Sequence, residues 1–395
     1  MTAHPAASAV AGTPRSRAGI VILALSAFLI VTTEFLIVGL LPGLARDLGI
    51  SISAAGQLVT LFAFTVMLAG PPMTAALAHL NRRTLFTGIL LLFAAANALA
   101  AMAPNIWVLA LARFVPALAL PVFWGTASET AASIAPPEAQ GKAVARVYLG
   151  ISAALLLGIP LGTLAAEAVG WRGAFWALAA LSLLMAIAMA VCMPTPPKAA
   201  KVNLASQLKL FREPYFLINL VLSVVVFSAM FTAYTYLADL LVQRAGVASL
   251  NVGWWLMAFG AVGLIGNWLG GVWVNRSAIG ATAVFALLLA VGMGLFGALA
   301  QWPVLQCVAL AVWAVANTAL YPICQVRVMN AVSHSKALAG TANVSAANAG
   351  IALGAVIGGA VIPTLGLAAV SYMATALALL ALLLTPWVAR LRSPG

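Results

Sequence analysis

Apolar residues run along this chain in blocks of about twenty to thirty, each long enough to cross the roughly 30 Å hydrocarbon layer of a bilayer at about 1.5 Å per residue. Short stretches carrying Pro, Gly, Asn and basic residues separate the blocks. The pattern predicts twelve spans, over residues 18–41, 53–78, 84–103, 105–134, 141–166, 172–193, 214–243, 250–274, 278–300, 302–331, 338–363 and 366–389. Within hydrocarbon every backbone N–H and C=O must be satisfied by the protein itself, which leaves helices or closed barrels. The blocks are too long and too uniformly apolar for alternating barrel strands. Each span is therefore predicted to be a helix.

The first block, AGIVILALSAFLIVTTEFLIVGLL, carries one acid, Glu34. A charged side chain at the middle of a membrane helix costs about 2.5–3.5 kcal/mol on insertion scales. An acid kept there despite that cost marks a candidate functional site, with helix-locking by an Arg as the plainer reading.

Composition agrees with the pattern: 64% of the 395 residues are hydrophobic, 7% are charged, and the mean hydropathy is +1.12. That balance excludes an ordinary soluble domain. The net charge of +12 would suit a nucleic-acid partner, but its distribution argues for membrane orientation instead. With the N-terminus inside, fifteen of the nineteen basic residues fall on the inner side and three (Arg46, Arg172, Arg244) on the outer, with Arg113 inside the fourth span. This places both termini in the cytoplasm. Residues 1–17, polar and without a cleavable signal, read as a disordered cytoplasmic tail, and 391–395 as a second. Cys192, Cys307 and Cys324 all lie in apolar spans, so neither a disulfide framework nor metal-ligand spacing follows.

Residues 194–213 (PTPPKAAKVNLASQLKLFRE) form the one long connection, read as a cytoplasmic linker with a short basic helix presenting Leu204, Leu208 and Phe211 to the membrane surface. The halves on either side, 18–193 and 214–390, repeat. Gly49 meets Gly246 at an offset of 197, and Gly158-Ile-Pro-Leu-Gly162 meets Gly354-Ala-Val-Ile-Gly358 at 196, as Gly170 meets Gly366. The expectation is an all-α membrane protein with twelve transmembrane helices in two pseudo-symmetric six-helix bundles. Such duplicated halves commonly hold a transport site between them near mid-membrane.

Three stretches carry a resemblance. Thr74–Arg83 (TAALAHLNRR) is similar to the G-x-x-x-D-R-x-G-R-R loop signature of the major facilitator superfamily, matching at Arg82 and Arg83. It departs at Thr74, Ala78, His79 and Asn81, which removes the acid on which the family's latch at this loop centres. The second-half counterpart ends in Asn275-Arg276. The fourth span resembles the family's fourth-helix motif through Arg113. The fifth, with Gly150, Gly158, Pro160 and Gly162, is similar to the Gly-Pro motif of proton-driven antiporters. Thr32-Thr33-Glu34-Phe35 with Gly39-Leu-Leu-Pro42, and Phe123-Trp124, look like the sugar-efflux and purine-efflux branch of the twelve-helix drug:proton antiporters.

Glu34 lies eight residues before Pro42 and Arg113 nine after Pro104, so both sit roughly 12–14 Å below the outer boundary. An Arg opposite the acid favours the carboxylate and desolvation favours the protonated form, a balance suited to loading and releasing a proton. Glu34 is thus the candidate proton carrier and Arg113 its modulator. Thr33, Phe123, Trp124, Tyr234, Asn317, Tyr321, Asn343 and Asn348 are the candidate substrate contacts, each also readable as core or as interhelical glue. Glu129 and Arg146 are expected to form a salt bridge across the inner hairpin of spans four and five. Asp239 and Arg244 flank the outer end of span seven and are expected in the interface or a vestibule.

Gly292-Met-Gly294-Leu-Phe-Gly297 fits a dinucleotide fingerprint literally but lies inside an apolar span with no preceding strand. No phosphate-cradling loop ending in Gly-Lys-Ser/Thr occurs. The reading is a proton-coupled exporter of a small polar or amphipathic solute (sugar, nucleoside, purine or drug) in the bacterial inner membrane. It is expected to be a monomer that is not an enzyme, with no cofactor, metal or nucleic acid. The rival is a membrane receptor or sensor that keeps the transporter fold without transporting.

Overall fold

The computed structural model describes residues 13–77, 80–136, 139–194, 209–332 and 336–391, and among them every regular element is helical. Eleven helices are long and apolar enough to cross a membrane. One of them, Lys142–Cys192, has 51 residues, which at about 1.5 Å each would reach about 76 Å, more than two bilayer cores. It breaks at Gly170, whose φ of +78° only glycine adopts readily. Divided there, the eleven helices supply the twelve spans of the sequence pattern.

Helix ends follow local chemistry. Thr13 accepts the Ser16 N–H (3.2 Å) ahead of Pro14, so the first helix, Pro14–Leu48, begins inside the stretch expected to be a tail. Asn81 and Ser277, 196 residues apart, cap the third and ninth spans, Arg82–Ala101 and Ala278–Ala298. Among the described residues the glycines with positive φ are Gly49, Gly170, Gly246 and Gly366, two pairs at the offsets read from sequence. The linker residues Leu204 and Leu208 lie outside the described residues. Phe211 is described and packs edge-on against Phe216 at 5.7 Å.

The chain falls into two compact units, residues 1–37 with 68–202 and residues 38–67 with 203–395. The second unit therefore takes in the end of the first span and much of the second, and compactness departs from the two chain halves there. Glycines seat one helix closely on another in each unit, and one such pair in each corresponds across the repeat. In the first, Gly158 lies against Thr32 and Gly162 against Leu36, seating span five on span one. In the second, Gly354 lies against Ser228 and Gly358 against Thr232, seating span eleven (Lys336–Leu365) on span seven (Pro214–Tyr234). Both contacts map onto each other at 196. Small residues fill such seams because lipid supplies no hydrophobic drive between helices, so close van der Waals packing must hold them. Large apolar side chains such as Trp107, Leu184, Trp268 and Leu383 are exposed on the outside, as expected of a surface that faces lipid.

Span five also changes helical type. Pro160 has no N–H and its ring crowds the carbonyl four residues back. The helix widens into a π turn at Ala154–Gly158, the Ile159 N–H reaching the Ala154 carbonyl.

Candidate functional site

Glu34 and Arg113 both belong to the first unit. The fourth span, Ile106–Ser133, starts at an Asn105 cap that accepts the Trp107 and Val108 N–H groups, and it places Arg113 two turns in. Arg113 is 2% exposed, whereas Glu34 is half-buried. The guanidinium fork donates to two consecutive main-chain carbonyls of span one, Thr33 O from Nη1 and Glu34 O from Nη2, each at 2.6 Å. Sequence reasoning expected a side-chain partnership, and the two residues are indeed neighbours. The short bonds go to the backbone, however, and the Arg113 charge acts on the carboxylate without such a bond. Asn97 of span three donates to Thr33 Oγ1 at 3.2 Å, a contact that no motif signalled. Thr33 is therefore held from two neighbouring spans and is 2% exposed.

The other first-unit candidates separate. Phe123 is fully buried, edge-on to Phe86 at 5.6 Å, and belongs to the core. Trp124 is half-buried and stacks on Tyr148 at 6.1 Å. Glu129 does not pair with Arg146, which is exposed. Its Oε2 lies 3.3 Å from Nη2 of Arg82. The correction has a geometric reason: span three packs on span four, bringing buried Arg82 to Glu129, while Arg146 is exposed. Glu129 thus supplies an acid at the loop where the signature's Asp is replaced by Ala78. Ala78 and His79 lie outside the described residues. Arg83 is half-buried at the start of span three, its N–H bonded to Asn81.

In the second unit Tyr234 joins a run of rings through Phe231 (5.4 Å), Phe259 (5.7 Å) and Trp313. Trp313 Nε1 and Asn317 Oδ1, one turn apart on span ten (Pro303–Asn330), are buried without hydrogen-bond partners, as is Asn348 Oδ1. Tyr321 stands edge-on to Phe227 at 5.1 Å. Asn343 is different. It accepts from Ser223 and donates to Gln325, both at 2.7 Å, as part of a buried network in which Arg327 donates to Thr282, Ser223 and the Asn219 carbonyl. Asn343 is interhelical glue. Asn275 and Arg276 are exposed, with Asn275 donating back to the Gly271 carbonyl.

Residues 23–346 match the Major Facilitator Superfamily. The chain belongs to that superfamily. Relatives include the inner membrane transport protein YdhP of Escherichia coli K12, 37% identical over 369 residues, covering 93% of this chain and 95% of that protein. Another, named a probable sugar efflux transporter in Helicobacter pylori strain 26695, is 30% identical across 91% of this chain and 92% of its own length. The fold is similar to that of a bacterial homolog of the human lysosomal transporter Spinster, with a TM-score of 0.81, 16% identity, and coverage of 97% and 100% of the two chains. This major facilitator protein is thus a multi-pass membrane transporter, not an enzyme, and some of its relatives are named for efflux or drug resistance. The sensor alternative finds no support in them.

Sequence reasoning missed three features of this major facilitator chain. Arg327 was counted only as a loop charge, because its partners Thr282 and Ser223 lie 45 and 104 residues away. The π turn had a legible cause in Pro160 but no legible geometry. The burial of Asp239, expected in the outer interface or a vestibule, reaches 1% exposure and was not foreseen.

Proposed function

We propose that this transporter is a proton-coupled antiporter that exports a small polar or amphipathic solute, with Glu34 carrying the proton and Arg113 setting its environment. The observation that carries the reading is the half-buried Glu34 in an apolar span, at the turn whose carbonyls Arg113 grips. A neutral Glu34 is the form hydrocarbon tolerates, whereas the nearby guanidinium favours the ionised form, so the group can change state as its access to water changes. Tyr234, Trp313 and Asn317 offer ring faces with a free donor and a free acceptor, suited to a sugar or a flat heterocycle. The name of the Helicobacter relative points the same way. The excess of basic residues on one side puts both termini in the cytoplasm, and the protein acts as a monomer.

One proton moving down 100 mV supplies about 2.3 kcal/mol, enough to hold about a fiftyfold gradient of a neutral solute exchanged one for one. The test is flux in proteoliposomes with an imposed pH gradient. Glu34→Gln should abolish proton-driven export while leaving substrate-for-substrate exchange, which moves no net proton. Full proton-driven export by that variant would end the assignment.

A further inference from the structure

Span seven stops at Tyr234 and restarts as a short helix, Leu237–Gln243, after a bend at Thr235 and Tyr236. Tyr236 is fully buried at that bend. Its hydroxyl donates to the Ala355 carbonyl of span eleven at 2.8 Å, and its ring occupies the place where Gly56 of span two lacks a side chain. Two more bonds join span two to span eleven, Ser53 donating to the Gly359 carbonyl at 2.6 Å and Thr60 to the Ala352 carbonyl at 3.4 Å. Ser53, Gly56 and Thr60 share one face of span two. That face is a closed latch within the second unit, with Tyr236 seated in it.

Asp239 lies one turn beyond Tyr236 and acts electrostatically on its hydroxyl. Its Oδ2 is buried without a partner. Among the described residues no ion pair reaches it. Arg244, on the same stretch of chain, turns to the Gly297 carbonyl. Spans two, eight and nine carry no ionisable residue, and span eleven carries only Lys336, about twenty residues from the latch. Arg46 and Asp47 at the end of span one are exposed. Tyr236 is therefore the titratable neighbour that matters.

We propose that Asp239 is a second proton-binding site of the transporter, holding span two against spans seven and eleven when protonated and releasing them when ionised. An ionised carboxylate with an orphaned oxygen cannot remain buried one turn from the latch, because burial of an unpaired charge is costly. On ionisation the latch must open far enough for water to reach Oδ2. The proposal goes beyond the coupling role given to Glu34 and does not depend on it.

The test places spin labels at Arg46→Cys and Leu250→Cys in full-length protein in lipid nanodiscs, with Cys192→Ser, Cys307→Ser and Cys324→Ala as background. Distance distributions are recorded from pH 5 to pH 9. The closed population should fall with rising pH, by up to about tenfold in the closed-to-open ratio per pH unit where one proton is released. Asp239→Asn, neutral and of the same shape, should remain closed throughout. Glu34→Gln should keep the transition, which separates this site from the coupling carboxyl. Tyr236→Phe should lower closure at every pH while the pH dependence stays. A transition retained by Asp239→Asn, or an Asp239→Asn protein that is open at all pH values, overturns the proposal.

Discussion

At the scale of single residues the decisive fact is where Arg113 spends its donors. Two bonds of 2.6 Å to successive carbonyls need a rigid planar fork, which lysine lacks. Hydrogen bonds to a charged group contribute about 1.5–3 kcal/mol each. Arg113→Ala should therefore lower thermal stability, and Arg113→Lys should recover part of the loss. Because the bonds end on the backbone, most of the loss should persist in a Glu34→Gln background. Thermal unfolding of the four variants in detergent, read as a double-mutant cycle, checks this. Rescue of stability in the doubly neutral protein would show instead that the pair is held by charge alone. The candidacy of Glu34 and Arg113 was legible in the sequence because ionisable residues are rare in apolar spans. The carbonyl acceptors were not, since every residue has one and only packing selects which is used.

At the scale of elements, glycine seams join span five to span one and span eleven to span seven. At the equivalent positions Gly158 and Gly354 they are not equally strict. A methyl added at Gly158 meets the Thr32 side chain, whose rotamer can yield. One added at Gly354 meets the Ser228 carbonyl at 2.6 Å and the Thr232 nitrogen at 2.8 Å, both backbone. Overpacking costs about 1–3 kcal/mol when neighbours cannot move, so Gly354→Ala should lower the melting temperature clearly more than Gly158→Ala. Equal effects would mean that span one is held as rigidly as span seven. The seams themselves could be read from glycine spacing. Their unequal tolerance could not, because it depends on whether a side chain or a main chain stands opposite. The Glu129 pairing failed for a related reason: the expectation matched residues across the nearest loop, while helix packing delivered Arg82 from 47 residues away.

At the scale of the whole molecule, orientation rests on loop charge. Cysteines placed at Leu250 and Trp302, both well exposed at loops on the less basic side, should react in intact cells with a reagent that cannot cross the membrane. Cysteines within 196–212 should react only after the cells are opened. The reverse pattern would invert the topology. By itself the sequence determined the number of spans, the helical class, the internal repeat and the family, because each is written in local hydropathy, loop chemistry and spacing, which act over one helix length. Tertiary structure decided which carbonyls Arg113 grips, which base meets Glu129, and that Tyr236, one turn from buried Asp239, seats against span two. Those outcomes depend on contacts between helices far apart in the chain, where close packing leaves room for one partner and excludes the rest.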